Sequence, residues 1–197
     1  MPYPSQILQR NIREKLEENF LNVLRNALGE NLLELPENQP LIKRERQMKM
    51  EPIYSPTCDV AVGPFSFKEG NLNDVYKGLA KLDEIDQFVE GLQRESLGTG
   101  YNASLLDLNQ NPRCFIAIEV ENTTARDIKH LLGSIINCSF LGKIGLVVVF
   151  EEYISYAQRL LQYLAFVKRV KKTKKELFRN VFVISKTDIS SLLGIRE

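Results

Sequence analysis

The chain has no tryptophan, a single histidine (His130) and three cysteines (Cys58, Cys114 and Cys138) without a CxxC pair among them. Each scarcity removes a class of chemistry. One imidazole excludes multi-histidine metal sites and a Ser/His/Asp triad with a choice of base. Isolated cysteines, two of them in predicted buried strands, read as reduced core thiols of a cytoplasmic protein. Long apolar runs are also missing. The longest, Ile144 to Phe150, is far below the ~20 residues of a spanning helix, so neither a signal peptide nor a membrane partner is expected, and the protein should be soluble and cytoplasmic. There is no internal repeat and no low-complexity segment. Net charge of one sign is lacking too: at +1 the balance neither favours nor excludes a nucleic-acid partner, which must be read from local patches.

What is present is 197 residues, 44% hydrophobic and 26% charged, enough for one domain (1–197) with a well-buried core. Its centre is the run from Cys114 to Asn122, a mostly apolar strand that ends in two carboxylates. Strand side chains alternate, so Ala117, Glu119 and Glu121 share one face and Ile116, Ile118 and Val120 the other. A second strand, Ser55 to Pro64, carries Asp59, Ala61 and Gly63 on one face and Val60 and Val62 on the other. If the two are neighbours, small residues leave a crevice beside three acids. Carboxylates at the end of a buried strand must be hydrated, paired or bound to a cation, and hard oxygen ligands suit magnesium with waters attached.

Around these strands the apolar spacing predicts helices. Ile12, Leu16, Phe20, Val23, Leu24 and Leu28 mark a first helix from Ser5 to Leu28, with Glu14, Glu17 and Glu18 towards its flanks. Residues Asn71 to Glu95 read as one helix capped by Asn71 or Asn73, inside a helical insertion (66–113) between the acidic strands. Asn122, Thr123 and Thr124 are candidate caps of a helix running to Gly142, whose first turn holds Arg126, Lys129 and His130. Gly133 and Ser134 are small enough for that helix to approach the sheet closely. Lys143 to Phe150 reads as a central strand covered on both faces, followed by a helix from Glu152 to Glu176, a strand from Asn180 to Ser185 and a short terminal turn from Ser190. Alternating helices and strands give an α/β fold, a mixed β-sheet with helices on both faces.

Two segments are rich in cations. Lys43, Arg44, Arg46 and Lys49 lie on a predicted edge strand, where charge either discourages edge-to-edge pairing or contacts phosphate. Lys171, Lys172, Lys174 and Lys175 end the long helix, where they either complement its dipole or form a phosphate-binding patch.

Strand with Asp59, strand with Glu119-x-Glu121, helix, strand: this order, over roughly Ser55 to Phe150, resembles the core of the PD-(D/E)xK nuclease superfamily, which includes many restriction endonucleases. The resemblance implies a restriction-endonuclease-like core (αβββαβ type) and a magnesium- or manganese-dependent endonuclease, of restriction type, acting on DNA. It implies Asp59 and Glu119 as metal ligands and Glu121 as the group that orients or deprotonates the attacking water or binds a second metal. Glu121 occupies the position of the motif lysine, which leaves that role to a cation from elsewhere, Lys129 or Lys143. Enzymes of this kind often work as homodimers, here through the Gly133-Ser134 face or the insertion. The rival expectation is a catalytically inactive domain that binds nucleic acid or protein, its acids paired with Arg126, Lys129 or Lys143.

Overall fold

The computed structural model describes residues 3–30, 41–44, 56–66, 72–98, 109–121, 128–172 and 178–196. Arg46, Lys174, Lys175, Arg126 and the expected caps Asn71 and Asn122 to Thr124 lie outside them. The elements follow as α1 (Pro4–Glu30), β1 (Ile42–Arg44), β2 (Val60–Val62), α2 (Asn73–Leu79), α3 (Asp83–Glu95), β3 (Cys114–Glu121), α4 (Ile128–Leu141), β4 (Gly142–Val149), α5 (Ile154–Arg169), β5 (Val181–Ser185) and α6 (Lys186–Leu193). The fold is α/β: five strands in the order β1-β2-β3-β4-β5 form one mixed sheet. β1 and β3 each pair antiparallel with β2, whereas β3–β4 and β4–β5 are parallel.

Each face of the sheet has its own core. One is built from Ile116, Ile118, Val120, Ile144, Leu146 and Val148 against α1, α2, α3 and α6. The other is built from Ala61, Ala117, Val147, Val149 and Val183 against α4 and α5. β4 is buried along its whole length, as suits a strand rich in apolar and β-branched residues and covered on both faces. Phe115 and Ile116 both join the first core. The alternation that sends Ala117, Glu119 and Glu121 to the α4 side therefore starts only at Ile116.

Several local expectations are corrected. The single helix over 71–95 is two, because Leu82 turns extended (ψ 135°) and Asp83, Glu84 and Asp86 supply the acidic first turn of a new helix. Asn73 does not cap α2; its side chain is buried, and its Oδ1 accepts from the Lys143 ammonium at 2.8 Å. The terminal turn is a full helix, α6, started by Ser185, whose hydroxyl accepts from the Asp188 amide. The α4–sheet approach depends on Gly145 rather than Gly133. A Cβ at Gly145 would come within 2.8 Å of Val181 and 3.0 Å of Cys138, while one at Gly133 would meet nothing within 4 Å.

At the far end of α4 the last carbonyls are satisfied by side chains. The Asn109 amide donates to the carbonyls of Ser139, Phe140 and Gly142, and the Asn180 amide to Ser139 and Gly142. The chain entering β3 and the chain entering β5 are thus tied to one helix end. Among the described residues no helix is long and apolar enough to cross a membrane.

Candidate active site

β3 is central and long, β2 short, and the acids stand at the start of β2 and the end of β3. Val60 opposes Ile118 and Ala61 opposes Ala117, so Asp59 continues the register to Glu119. Its Oδ2 accepts a 2.8 Å hydrogen bond from the Val120 amide. A charged acceptor is the stronger kind for a backbone amide, and here it extends the pairing one residue before the first strand residue of β2.

α4 closes the site from above. Ser134 Oγ donates to Glu121 Oε1, and Asn137 Nδ2 donates to Glu119 Oε1 at 3.4 Å. Ser134 and Asn137 are three apart, so they share one helix face, and the sheet presents Glu119 and Glu121 to it. The sequence did not single out Asn137, and it gave Ser134 a packing role and a place on a dimer face rather than a partner in Glu121. The legible signal was a polar pair at helical spacing within an otherwise apolar face. His130, four residues before Ser134, lies on the same stripe; Lys129 is exposed in the first turn and its spacing turns it off that stripe.

The same face holds three buried thiols, none of them in a disulfide, with Cys58 and Cys138 near enough to Glu119 to feel its charge. Cys58 donates to the Val60 carbonyl, Cys138 to Leu146, and Cys114 to Ile116 and Leu141. Burial pushes all three pKa values up, and the Glu119 charge raises those of Cys58 and Cys138 further. The thiols are thus neutral, and the oxygens are the donors available to a cation.

Lys43 is brought to this face. It opposes Ala61, which opposes Ala117, and directly opposed residues point the same way. That places Lys43 one row, roughly 7 Å along the strand, from the Asp59–Glu119 level. Its ammonium lies 4.4 Å from the centre of the Phe65 ring, and burial lowers its pKa. Arg44 follows on β1, opposite Val60.

Other expected cations are elsewhere. Lys143, 1% exposed, donates to Asn73 Oδ1 and to the Asn109 carbonyl at 3.2 Å, at the start of β4. Glu119 is level with Val147 and Glu121 with Val149, so Lys143 sits some four residues, about 13 Å, back along the strand. It is corrected from site cation to structural hub. Lys171 and Lys172 follow the C-terminal end of α5, a helix of 16 residues and hence about 24 Å. α5 starts beside the end of β4 and finishes near the start of β5, so these lysines lie at the opposite end of the sheet from the acids. Glu14, Glu17 and Glu18 belong to α1, on the other face, where Glu18 pairs with Lys15 at 2.6 Å.

Among the described residues no three His, Cys, Asp or Glu side chains form a ready-made cage for an ion. Magnesium does not need one: it binds through one or two carboxylates and keeps its waters. Asp59 and Glu119, level on neighbouring strands and both oxygen donors, fit that pattern. Comparison with known proteins found no family model, no curated protein and no solved structure that matches the chain.

Proposed function

We propose that the chain is a magnesium- or manganese-dependent nuclease of PD-(D/E)xK type, a restriction-type endonuclease that hydrolyses DNA phosphodiester bonds. The observation that carries this reading is the Val120 amide bond to Asp59, which sets that carboxylate level with Glu119 at the rim of the sheet. Support also comes from the element order α1-β1-β2-β3-α4-β4, with an antiparallel β1–β3 meander and a parallel β3–β4 crossover. In this reading 1–197 is one nuclease domain, and α2 and α3 belong to an insertion over 66–113.

Asp59 and Glu119 would hold the ion, which when bound polarises the scissile phosphate and acidifies a coordinated water. Val120 and Asn137 fix the orientation of these two side chains. Glu121, in the motif lysine's position and held by Ser134, takes the proton of the attacking water or binds a second ion. Lys43 offers charge for the phosphate backbone from the adjacent strand. A homodimer would allow both strands to be cut.

A second reading, a nuclease-fold domain that binds without cleaving, is favoured by one observation: each of the three acids already accepts a hydrogen bond from within the protein. Metal-dependent DNA cleavage by the purified protein, absent from the Glu119→Ala variant, separates the two.

A further inference from the structure

The outer face of α5 carries side chains that the fold does not use. Its buried residues, Ala157, Leu160 and Leu161, lie on one side. Arg159, Tyr163, Phe166 and Val170, spaced by four, three and four, fall on the other. Tyr163 is 60% exposed, Phe166 47% and Val170 40%. The Arg169 guanidinium lies 5.7 Å from the centre of the Phe166 ring. From Tyr153 to Lys172 the chain holds five Lys and Arg and no Asp or Glu, although its net charge is only +1.

Three occupants fit such a stripe differently. A second copy of the chain would match its spacing, which is that of a helix-pair seam, but would set two acid-free cationic runs against each other. An acidic amphipathic helix would match the charge. Cations that serve such a seam flank it along its length, whereas four of the five here gather from Lys168 onward. A nucleic-acid strand needs ring faces for its bases and a run of cations for its phosphates, and α5 presents both side by side.

We propose that the outer face of α5 is a binding surface for single-stranded nucleic acid, with Tyr163 and Phe166 stacking on bases and Lys168 to Lys172 on phosphates. The inference extends the nucleic-acid side of the nuclease reading but needs neither the carboxylates nor a metal. The stacking and phosphate-binding residues occupy the half of α5 remote from the acids, so the surface would hold nucleic acid away from the cleavage point.

Because the chain lacks tryptophan, Tyr163→Trp introduces a single indole reporter at the stripe. The experiment titrates this variant in EDTA with a thymidine oligonucleotide of about 20 nucleotides, longer than a typical site of roughly 4–16. The surface predicts quenching of the indole. It also predicts about fivefold or greater weakening by Phe166→Ala, and weaker, less salt-dependent binding by Lys171→Glu/Lys172→Glu. Equal indole changes with heparin or polyglutamate would mean polyanion attraction only and would overturn the proposal. So would an affinity that Phe166→Ala leaves unchanged, or no binding at all. Glu119→Ala should bind like the unaltered protein. Binding without cleavage would then retain this surface and remove the nuclease reading, and cleavage without a role for α5 would do the reverse.

Discussion

The Asp59 carboxylate accepts the Val120 amide proton at 2.8 Å, one residue from Glu119 on the neighbouring strand. The bond serves both the fold and the site: it extends the β2–β3 pairing just before β2 begins and fixes an acid beside a second acid. Asp59→Ala, which leaves that amide without its charged partner, should cost about 1.5–3 kcal/mol in urea unfolding. Asp59→Asn keeps an acceptor oxygen and should retain most of that stability. Both should lose manganese binding in a calorimetric titration. A destabilised Asp59→Ala protein that still binds manganese would make Asp59 structural alone.

Lys43 should trade stability for binding. Burial lowers its pKa from the ordinary 10.5, so the folded chain releases this proton before the unfolded chain does. Below both values the cost of burying the charge is present in full. Between them the unfolded chain binds more protons, so this residue's contribution rises with pH. The Phe65 ring offsets part of the cost but does not reverse it. Lys43→Met should therefore be more stable than the unaltered protein at pH 7, with the gap closing towards pH 10.5, and should bind duplex DNA more weakly. A variant that is less stable at pH 7 would show that the ammonium is held more favourably than its burial implies.

Lys143 has the opposite role. Its ammonium joins α2, the turn before β3 and the start of β4 from a fully buried position. Lys143→Met would leave Asn73 Oδ1 and the Asn109 carbonyl without this donor. The expected loss is about 2–4 kcal/mol in urea unfolding. Metal binding should persist below the unfolding transition, because the residue is remote from the acids. A loss under about 0.5 kcal/mol would mean that water or a neighbour replaces the amine without cost.

Much of the frame was legible because periodicity is a local property. Cys114 to Glu121 and Lys143 to Phe150 declared themselves as strands. The apolar spacing of α4 was legible only in part: Leu131 and Ile135 are buried as it requires, whereas Ile128 and Phe140, which it places on the same stripe, are exposed. That Glu119 and Glu121 share one face followed from period two alone; which side of the sheet that face is did not. What could not be read was long-range partnership. Asn137 meets Glu119 across 18 residues, and Asn73 meets Lys143 across 70. Such pairings depend on how helices settle on the sheet, which no window of sequence encodes. Lys143 was misplaced for a related reason: a cation next to a strand of hydrophobics has no preferred end until the register is fixed. The missed α6 was a local error, since Ser185 with Asp188 three residues on is a helix-start pattern.

The central claim is that Asp59 and Glu119 form a metal-dependent nuclease site. Its most direct test is cleavage of plasmid and genomic DNA by the purified protein with magnesium, with manganese and with EDTA, beside Glu119→Ala. The site predicts cutting that requires the metal and disappears in the variant. Equal cutting by both proteins, or no cutting and no manganese binding by the unaltered protein, would contradict it.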